Sequence, residues 1–144
     1  MKFAFIITAT LITASGVGSI LYAQSGSSVW SGVYSDAQAT RGQDLYGKNC
    51  ASCHGAKLEG RGQTPPLAGD DFKSNWNGQS LGDLFDKIKL TMPADRPGSL
   101  SADQNADILA FILKSNQFPS GSADLKGDSD ALKQIRFESA KPKS

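Results

Sequence analysis

The feature that most constrains this chain is a pentapeptide, Cys50-Ala51-Ser52-Cys53-His54, which reads C-x-x-C-H. The sequence contains two cysteines and one histidine, so this stretch holds every thiol and every imidazole of the chain. The spacing is typical of covalent haem attachment, in which both thiols form thioethers and the histidine ligates the iron. The pattern therefore predicts one covalently attached haem c on Cys50, Cys53 and His54.

Three other interpretations of the pentapeptide have to be weighed. A redox disulfide of the thioredoxin type expects a strand before the cysteines and a βαβ pattern around them. Here the flanking residues read as a helix before and a glycine-rich loop after. A structural zinc site needs four ligands, whereas the cysteines and the histidine together supply three. A chance match is the third alternative, because the motif defines only three residues.

The first 23 residues resemble a secretory signal peptide. Lys2 precedes an apolar run, and Ala23 offers a small residue at the cleavage position. Cleavage after Ser25 is a second choice, because Leu21 is not the small residue preferred three positions before the cut. The alternative is an uncleaved membrane anchor, but threonines, serines and glycines dilute the apolar run. We expect cleavage, export to the periplasm and no stable membrane insertion afterwards.

The charge balance excludes some partners. The chain has 15 Lys and Arg against 14 Asp and Glu. Since Lys2 leaves with the signal peptide, the remaining formal charge is zero. A neutral chain without a basic run argues against nucleic acid and against anionic membrane surfaces as partners. The length after cleavage is that of one domain with a modest core.

Hydrophobic periodicity predicts three main helices. Each starts at a serine with a polar residue three positions later, the spacing of a capping box: Ser35 with Gln38, Ser80 with Asp83, and Ser101 with Gln104. The first helix is expected to run into the cysteines and to end at Gly55. The second should end before Pro93, because the residue preceding a proline avoids helical geometry. The third is closed by Phe118-Pro119.

The rest of the chain reads as loops. Residues 55–69 are rich in glycine and contain two prolines, and residues 95–100 also read as loop. Residues 24–34 are expected to be a mobile lead-in, residues 35–120 the domain, and residues 121–144 a polar tail that packs on the domain or trails from it. No segment alternates convincingly as a strand. We therefore predict an all-α fold whose long loops pack around one covalent haem.

Met92 is the candidate for the second axial ligand. It is the only methionine after Met1, it follows a helix, and it precedes a proline far enough from His54 to reach the opposite haem face. A thioether is a soft neutral ligand that raises the potential of haem iron. The alternatives are core filling, which is common for methionine, an open sixth site, or a substitute ligand such as lysine.

Taken together, these residues resemble small soluble class I monohaem cytochromes c of bacteria. The resemblance covers about residues 36–116 and rests on a short set of features: the C-x-x-C-H motif, Met92-Pro93, Gly42 and Tyr46 in the first helix, Pro65-Pro66-Leu67, and Ile108 and Phe111 in the last helix. It implies a cytochrome c fold. It also implies that Gly42 lets the first helix cross the last one closely, with Tyr46 beside the crossing.

The resemblance further implies roles for three loop residues. Pro65, with Pro66 as the second choice, would offer its carbonyl to His54, and Leu67 would pack on the haem. Trp76 resembles the tryptophan that donates to a haem propionate, and Arg61 is a weaker candidate for the same contact. Without the resemblance these would read as ordinary loop residues.

The implied function is that of a periplasmic one-electron carrier and not an enzyme. Such a protein accepts electrons from a periplasmic dehydrogenase or a quinol-oxidising complex and passes them to a terminal acceptor, so its partners are redox proteins. One alternative is a haem-based ligand sensor, which needs a vacant or labile sixth site. Another is a cytochrome subunit fixed in a dehydrogenase complex. A haem peroxidase would need a distal base, which this sequence lacks.

Overall fold

The computed structural model describes residues 27–143, and the predicted signal peptide lies outside them. The described chain contains a short 3-10 helix (Val29–Ser31) and six α-helices: α1 (Asp36–Asn49), α2 (Ala51–His54), α3 (Asp70–Trp76), α4 (Leu81–Thr91), α5 (Ala102–Ser115) and α6 (Ser129–Leu132). The long helices α1, α4 and α5 are the three that the sequence predicts. The predicted all-α fold is confirmed, with one very small sheet added to it.

The serine caps are present at all three long helices. In α4 and α5 the box is reciprocal, since the capping serine and the third residue of the helix each accept a backbone N–H from the other. At α1 the Ser35 hydroxyl accepts the Gln38 N–H at 3.0 Å. The side chain of Gln38 does not return to Ser35, because it is buried and bonded to the backbone of Leu125. At α1 the predicted capping box is therefore only partly correct: Ser35 caps the helix, but the Gln38 side chain does not accept the Ser35 N–H.

Helices α1 and α5 cross at Gly42. A Cβ atom on Gly42 would lie 1.8 Å from the carbonyl oxygen of Asp107 and 3.0 Å from the Cβ of Phe111. The ring of Tyr46 packs beside the crossing, with its centroid 5.2 Å from that of Phe111. Only glycine allows so close an approach of two helix backbones, so the predicted crossing is confirmed.

The core forms around α5, which packs against both α1 and α4. Its largest helical contributors are all buried: Tyr46, Leu81, Leu84, Phe85, Ile108, Leu109, Ile112 and Leu113. Fully burying a side chain of this size stabilises the fold by about 1.5–3 kcal/mol. The helices that carry the motif residues are thus held by one shared hydrophobic cluster.

Helix α3 was not expected from the sequence. It is preceded by Gly69, at φ +95°, and no side chain caps its start. Its buried residue, Phe72, faces the ring of Phe137 at a centroid distance of 6.0 Å. The helix lacks the cap signal that marks the other starts, and a contact with the distant tail helps to hold it.

The expectation of a mobile lead-in is wrong for residues 27–34. Strand β1 (Ser27–Ser28) pairs in parallel with β2 (Ile135–Arg136). Val29 and Tyr34 are fully buried, and the Tyr34 hydroxyl donates to the Phe118 carbonyl at 2.6 Å. This segment therefore belongs to the packed domain.

The tail packs on the domain over residues 121–143. Phe137 is completely buried, and its ring lies edge-on to that of Phe118 at 5.2 Å. Phe118 in turn contacts Trp30, whose indole N–H donates to the carbonyl of Glu138 at 2.9 Å. Within residues 27–143, no helix has both the length and the apolar character that crossing a membrane requires.

Candidate haem-binding site

The C-x-x-C-H motif lies on one turn of helix directly after α1. The N–H of Cys50 closes α1 by donating to the Tyr46 carbonyl at 2.8 Å, and the His54 N–H donates to the Cys50 carbonyl at 2.9 Å. Gly55, at φ +84°, ends the turn. The three predicted haem-attachment side chains therefore follow one another on a single helical turn.

The two cysteines are free thiols in different surroundings. Cys50 is half-buried and Cys53 is exposed. Burial raises the pKa of the Cys50 thiol to about 11, and the neighbouring Cys53 contributes to this rise. Cys50 is therefore protonated at neutral pH, and neither sulfur is consumed in a disulfide.

His54 is buried and held in one orientation. Its Nδ1 lies 2.9 Å from the carbonyl oxygen of Pro65, the contact that the resemblance implies. A carbonyl can only accept, so Nδ1 carries a proton, and in the neutral imidazole the lone pair is then on Nε2. When one ring nitrogen of a histidine donates its proton to a carbonyl, the other nitrogen becomes a better electron-pair donor to a metal. Nε2 is the ring atom available to an iron.

The loop that follows His54 is tightly bonded to it. The His54 carbonyl accepts the Gly60 N–H at 2.7 Å, and the Leu67 N–H donates to the Leu58 carbonyl at 2.9 Å. A Cβ atom on Gly60 would meet backbone atoms of residues 64–66 at 2.6–2.9 Å. The glycine therefore lets the chain fold back closely enough to bring Pro65 to His54.

Two further residues anchor this loop. The side chain of Asn116, after α5, accepts the Gly69 N–H at 3.0 Å and donates to the Leu67 carbonyl at 2.9 Å. The Tyr46 hydroxyl donates to the Gly55 carbonyl at 2.7 Å. Tyr46 was expected only to pack beside the helix crossing. Asn116 was not among the predicted site residues, because no motif in the sequence marks it.

Met92 caps the carboxyl end of α4. Its N–H donates to the Ile88 carbonyl at 2.9 Å, and its side chain is half-buried at the border of the hydrophobic cluster. The peptide bond to the following Pro93 is cis. The position of Met92 is therefore tied to the end of α4.

Leu67 and Trp76 also lie at the border of the hydrophobic cluster, both half-buried. Trp76 is the last residue of α3, and its ring centroid lies 6.4 Å from that of Phe72. Arg61 is exposed, and its backbone pairs with Thr64. The structure thus brings Pro65 into direct contact with His54, while Leu67, Trp76 and Met92 border the same apolar cluster.

The chemistry of this donor set fits haem c. It comprises two free thiols, one imidazole with an available Nε2 and one thioether, next to an apolar cluster. These are the groups that covalent attachment and axial ligation require. Within residues 27–143, no three side chains of His, Cys, Asp or Glu converge as a metal-binding group.

Two surface cavities lie elsewhere. One of about 360 Å³ borders the outer face of α1 and includes Tyr46, Ala51 and Phe111. The other, of about 660 Å³, lies between α1, α5 and the tail and is lined by several aspartates. The linings of these two cavities do not include Cys50, Cys53, His54 or Met92.

Comparisons with known proteins show which family this chain is similar to. Residues 37–112 match the family model described as cytochrome C oxidase, cbb3-type, subunit III. The cytochrome bc1 complex cytochrome c subunit of Corynebacterium diphtheriae is 33% identical over 125 residues. That match covers 78% of this chain and 43% of the relative, so the chain spans less than half of the relative's length.

A solved structure agrees with the fold. The sulfane dehydrogenase SoxCD from Paracoccus pantotrophus contains a chain that matches with a TM-score of 0.50 and 22% identity. The match covers 88% of this chain and 67% of that one. At this identity the likeness concerns the fold alone. Because the family model covers more than half of the sequence, including the whole C-x-x-C-H turn, this chain belongs to the cytochrome c family.

Proposed function

We propose that this protein is a periplasmic one-electron carrier that uses one haem c, attached through Cys50 and Cys53 and ligated by His54 and Met92. The observation that carries the proposal is the C-x-x-C-H turn together with the 2.9 Å contact between His54 Nδ1 and the Pro65 carbonyl. When bound, haem c supplies an iron ion that gains or loses one electron.

The side chains of this protein have distinct tasks in that function. Cys50 and Cys53 hold the group covalently, while Pro65 keeps the proton of His54 on Nδ1 so that Nε2 can ligate. Met92 supplies the second axial donor, which raises the potential relative to a more basic ligand. Leu67 excludes water from the group, and Trp76 donates its indole N–H to a propionate.

The partners are redox proteins. We propose that electrons arrive from a periplasmic dehydrogenase or a quinol-oxidising complex and leave to a terminal acceptor. The protein itself transfers electrons and has no catalytic residues in this proposal. A cytochrome subunit fixed in a larger complex is the second candidate, because the Corynebacterium diphtheriae relative is named as a subunit of the cytochrome bc1 complex.

The covalent attachment is tested first. The protein is produced in a host that exports it and attaches haem, and then denatured and extracted with acidic acetone. We expect the haem colour to stay on the polypeptide. Extraction of the haem into the solvent would contradict attachment through Cys50 and Cys53.

The axial ligand is tested by Met92→Ala. We expect loss of the absorption band that methionine-ligated ferric haem shows and a lower midpoint potential, because the thioether favours the ferrous state. The control is Leu90→Ala, two positions away, whose side chain is 67% exposed and should leave both readouts unchanged. A Met92→Ala spectrum and potential identical to the original protein would exclude Met92 as the ligand.

A further inference from the structure

The tail crosses all three long helices, although it lies outside the residues that match the family model. Gln38 of α1 holds both backbone groups of Leu125: its Oε1 accepts the N–H at 2.7 Å and its Nε2 donates to the carbonyl at 2.9 Å. Gly127 then passes close to Ala102 of α5: a Cβ atom added to Gly127 would lie 2.6 Å from the carbonyl carbon of Ala102. The next residues form α6, which packs on α4. We call residues 125–137 the clamp.

The contact between the clamp and α4 is a close approach of two backbones at Gly82. A Cβ atom on Gly82, in the first turn of α4, would lie 2.7 Å from the backbone nitrogen of Lys133 and 2.8 Å from the carbonyl oxygen of Ser129. Leu132 is buried beside this contact. Any larger residue at position 82 must push α6 away from α4.

Polar contacts hold the same pair of helices. The carboxylate of Asp86, one turn along α4, accepts the Ser129 hydroxyl at 2.7 Å and lies 3.7 Å from the Lys133 ammonium group. Before α4, the Phe137 N–H donates to the Gln79 carbonyl at 2.8 Å, and the Gly78 N–H donates to the Phe137 carbonyl at 2.8 Å. The clamp therefore holds α4 along its first half and at the chain that leads into it.

The other end of α4 carries Met92. The segment after it is lightly held: the Arg96 N–H donates to the Pro93 carbonyl at 2.9 Å, and the Ser99 N–H donates to the Arg96 carbonyl at 3.2 Å. Most of residues 94–99 are exposed. The position of the thioether thus depends on where α4 lies rather than on the loop that follows.

We propose that the clamp is a positioning element for Met92: by fixing α4 through Gly82 and Asp86, it keeps the thioether at the sixth coordination position of the haem iron. This inference rests on the proposed function, since it takes Met92 as the axial ligand. A displaced clamp lets α4 shift, and the fraction of molecules with Met92 off the iron rises.

That fraction can be measured with imidazole as a competing ligand. Imidazole binds only when the sixth position is open, so its apparent affinity is the intrinsic affinity multiplied by the open fraction. A tenfold larger open fraction gives tenfold tighter apparent binding, equal to about 1.4 kcal/mol. A change in overall stability alone, without a change in the Met92 equilibrium, leaves this affinity where it was.

The experiment compares two glycine-to-alanine changes in the haem-loaded protein. Gly82→Ala brings a Cβ against the clamp. Gly47→Ala, within α1, adds a Cβ that has no atom within 4 Å apart from its chain neighbours and the backbone of α1 itself. We expect Gly82→Ala to bind imidazole about tenfold more tightly and to weaken the methionine–iron absorption band. Gly47→Ala should change neither. Asp86→Ala removes the contacts to Ser129 and Lys133 and adds no bulk, so it should also tighten imidazole binding. It replaces Gly82→Ala in the experiment if that variant does not fold.

A double-variant cycle shows whether the effect passes through Met92. In Met92→Ala the sixth position is already open, so adding Gly82→Ala or Asp86→Ala should not tighten imidazole binding further. An equal tightening in that background would overturn the inference, as would clamp variants that behave like Gly47→Ala. If Met92→Ala itself leaves the spectrum unchanged, the proposed ligation fails, and that result is distinct from a failure of the clamp.

Discussion

The histidine side and the methionine side of the site are built differently. On the histidine side, residues 55–69 fold back on His54 through the Pro65 and Gly60 contacts, and Asn116 fastens the loop to α5. On the methionine side, residues 93–100 are mostly exposed. Within the described part of the chain, three hydrogen bonds that involve a side chain hold this segment. Arg96 donates to Asp95 at 3.3 Å and to Asn49 at 3.5 Å, and the Asn105 side chain donates to the Leu100 carbonyl at 3.2 Å.

The difference shows two ways of holding a ligand. His54 is fixed locally, by its own loop and by the end of α5, so we expect changes elsewhere in the molecule to leave its orientation unaltered. Met92 sits at the end of α4, and α4 is held by contacts made far from the methionine. Local opening starts where few buried contacts and few protected backbone bonds hold a segment. The methionine side should therefore be the side that opens.

Gly60→Ala should have the largest effect among variants that separate the two sides. Gly60 has φ +74°, and an added Cβ would meet backbone atoms of residues 64–66. We expect a loss of about 3 kcal/mol of unfolding free energy and a higher midpoint potential, because a displaced Pro65 carbonyl makes His54 a poorer donor. Denaturant unfolding and potentiometry of the haem-loaded protein measure both.

The matched control for Gly60 lies on the methionine side. Gly98 has φ +76°, but an added Cβ would have open space around it. Gly98→Ala should cost about 1 kcal/mol, the price of the left-handed backbone alone, with no change in potential. Equal losses for the two glycine variants would mean that the loop after His54 is no more tightly packed than the loop after Met92.

Asn116→Ala should have the next largest effect. Its side chain is buried and serves the Gly69 N–H and the carbonyls of Leu67 and Ile112. Removing it takes the side-chain partner from the Gly69 N–H and from the half-buried Leu67 carbonyl, and we expect a loss of about 2 kcal/mol in denaturant unfolding. The contact between Arg96 of the methionine side and Asn49 is weaker, at 3.5 Å. Asn49→Ala removes this contact and the half-buried bond from Asn49 to the Leu45 carbonyl at 2.8 Å, and it should still cost less. A larger loss for Asn49→Ala would reverse the comparison.

Tyr46→Phe should cost about 1 kcal/mol at neutral pH, because it removes the bond to the Gly55 carbonyl. Burial raises the pKa of Tyr46 from 10.0 to about 12. The folded state therefore keeps a proton that the unfolded state loses, so this contribution is complete below pH 10 and is lost as the pH rises toward 12. The variant should flatten the decline of stability over that range.

Tyr34→Phe is the control for Tyr46. Burial also raises the pKa of Tyr34 to about 12, and its hydroxyl bonds to Phe118 far from the His54 loop. Both variants should flatten the alkaline decline measured by denaturant unfolding. Only Tyr46→Phe should alter the haem spectrum, since only Tyr46 holds the turn that ends in His54. A spectral change in Tyr34→Phe would show that losing a buried tyrosine bond far from His54 also disturbs the haem site, and the spectral effect of Tyr46→Phe could then not be assigned to the His54 turn.

Arg96→Ala should have the smallest effect. Its partners, Asp95 and Asn49, are reached at 3.3 and 3.5 Å near the surface, and exposed contacts of this kind contribute about 0–1 kcal/mol. We expect a change in unfolding free energy within about 0.5 kcal/mol. A loss of 2 kcal/mol or more, measured by denaturant unfolding, would show that the methionine side is held by its own loop after all.

Features that depend on neighbours in sequence were predictable. The caps at Ser80 and Ser101 need only the residue three positions later, and the end of α4 needs only Pro93. The Gly42 crossing was predicted from the resemblance, as was the His54–Pro65 contact that the structure now places. The roles of Cys50, Cys53, Met92, Leu67 and Trp76 toward a haem remain predictions.

The features that were missed depend on partners far along the chain. Gln38 has the spacing of a capping residue, but burial beside Leu125 gives it two hydrogen bonds to the tail instead. Residues 27–34 look like a mobile segment because their partners, β2 and Glu138, lie more than a hundred residues later. Helix α3 lacks a capping side chain and packs through Phe72 on the tail.

The local sequence carries the candidate donor groups and the main helices of this protein: a C-x-x-C-H motif, a single later methionine before proline, and three helices with their own start signals. Each of these follows from residues a few positions apart, whose preferences act before any tertiary contact forms. The pairing of β1 with β2 and the packing of the tail on α4 arise only in the tertiary structure. Those contacts arise from burying apolar surface and pairing backbone groups between distant segments, and short-range patterns in a sequence carry no record of them.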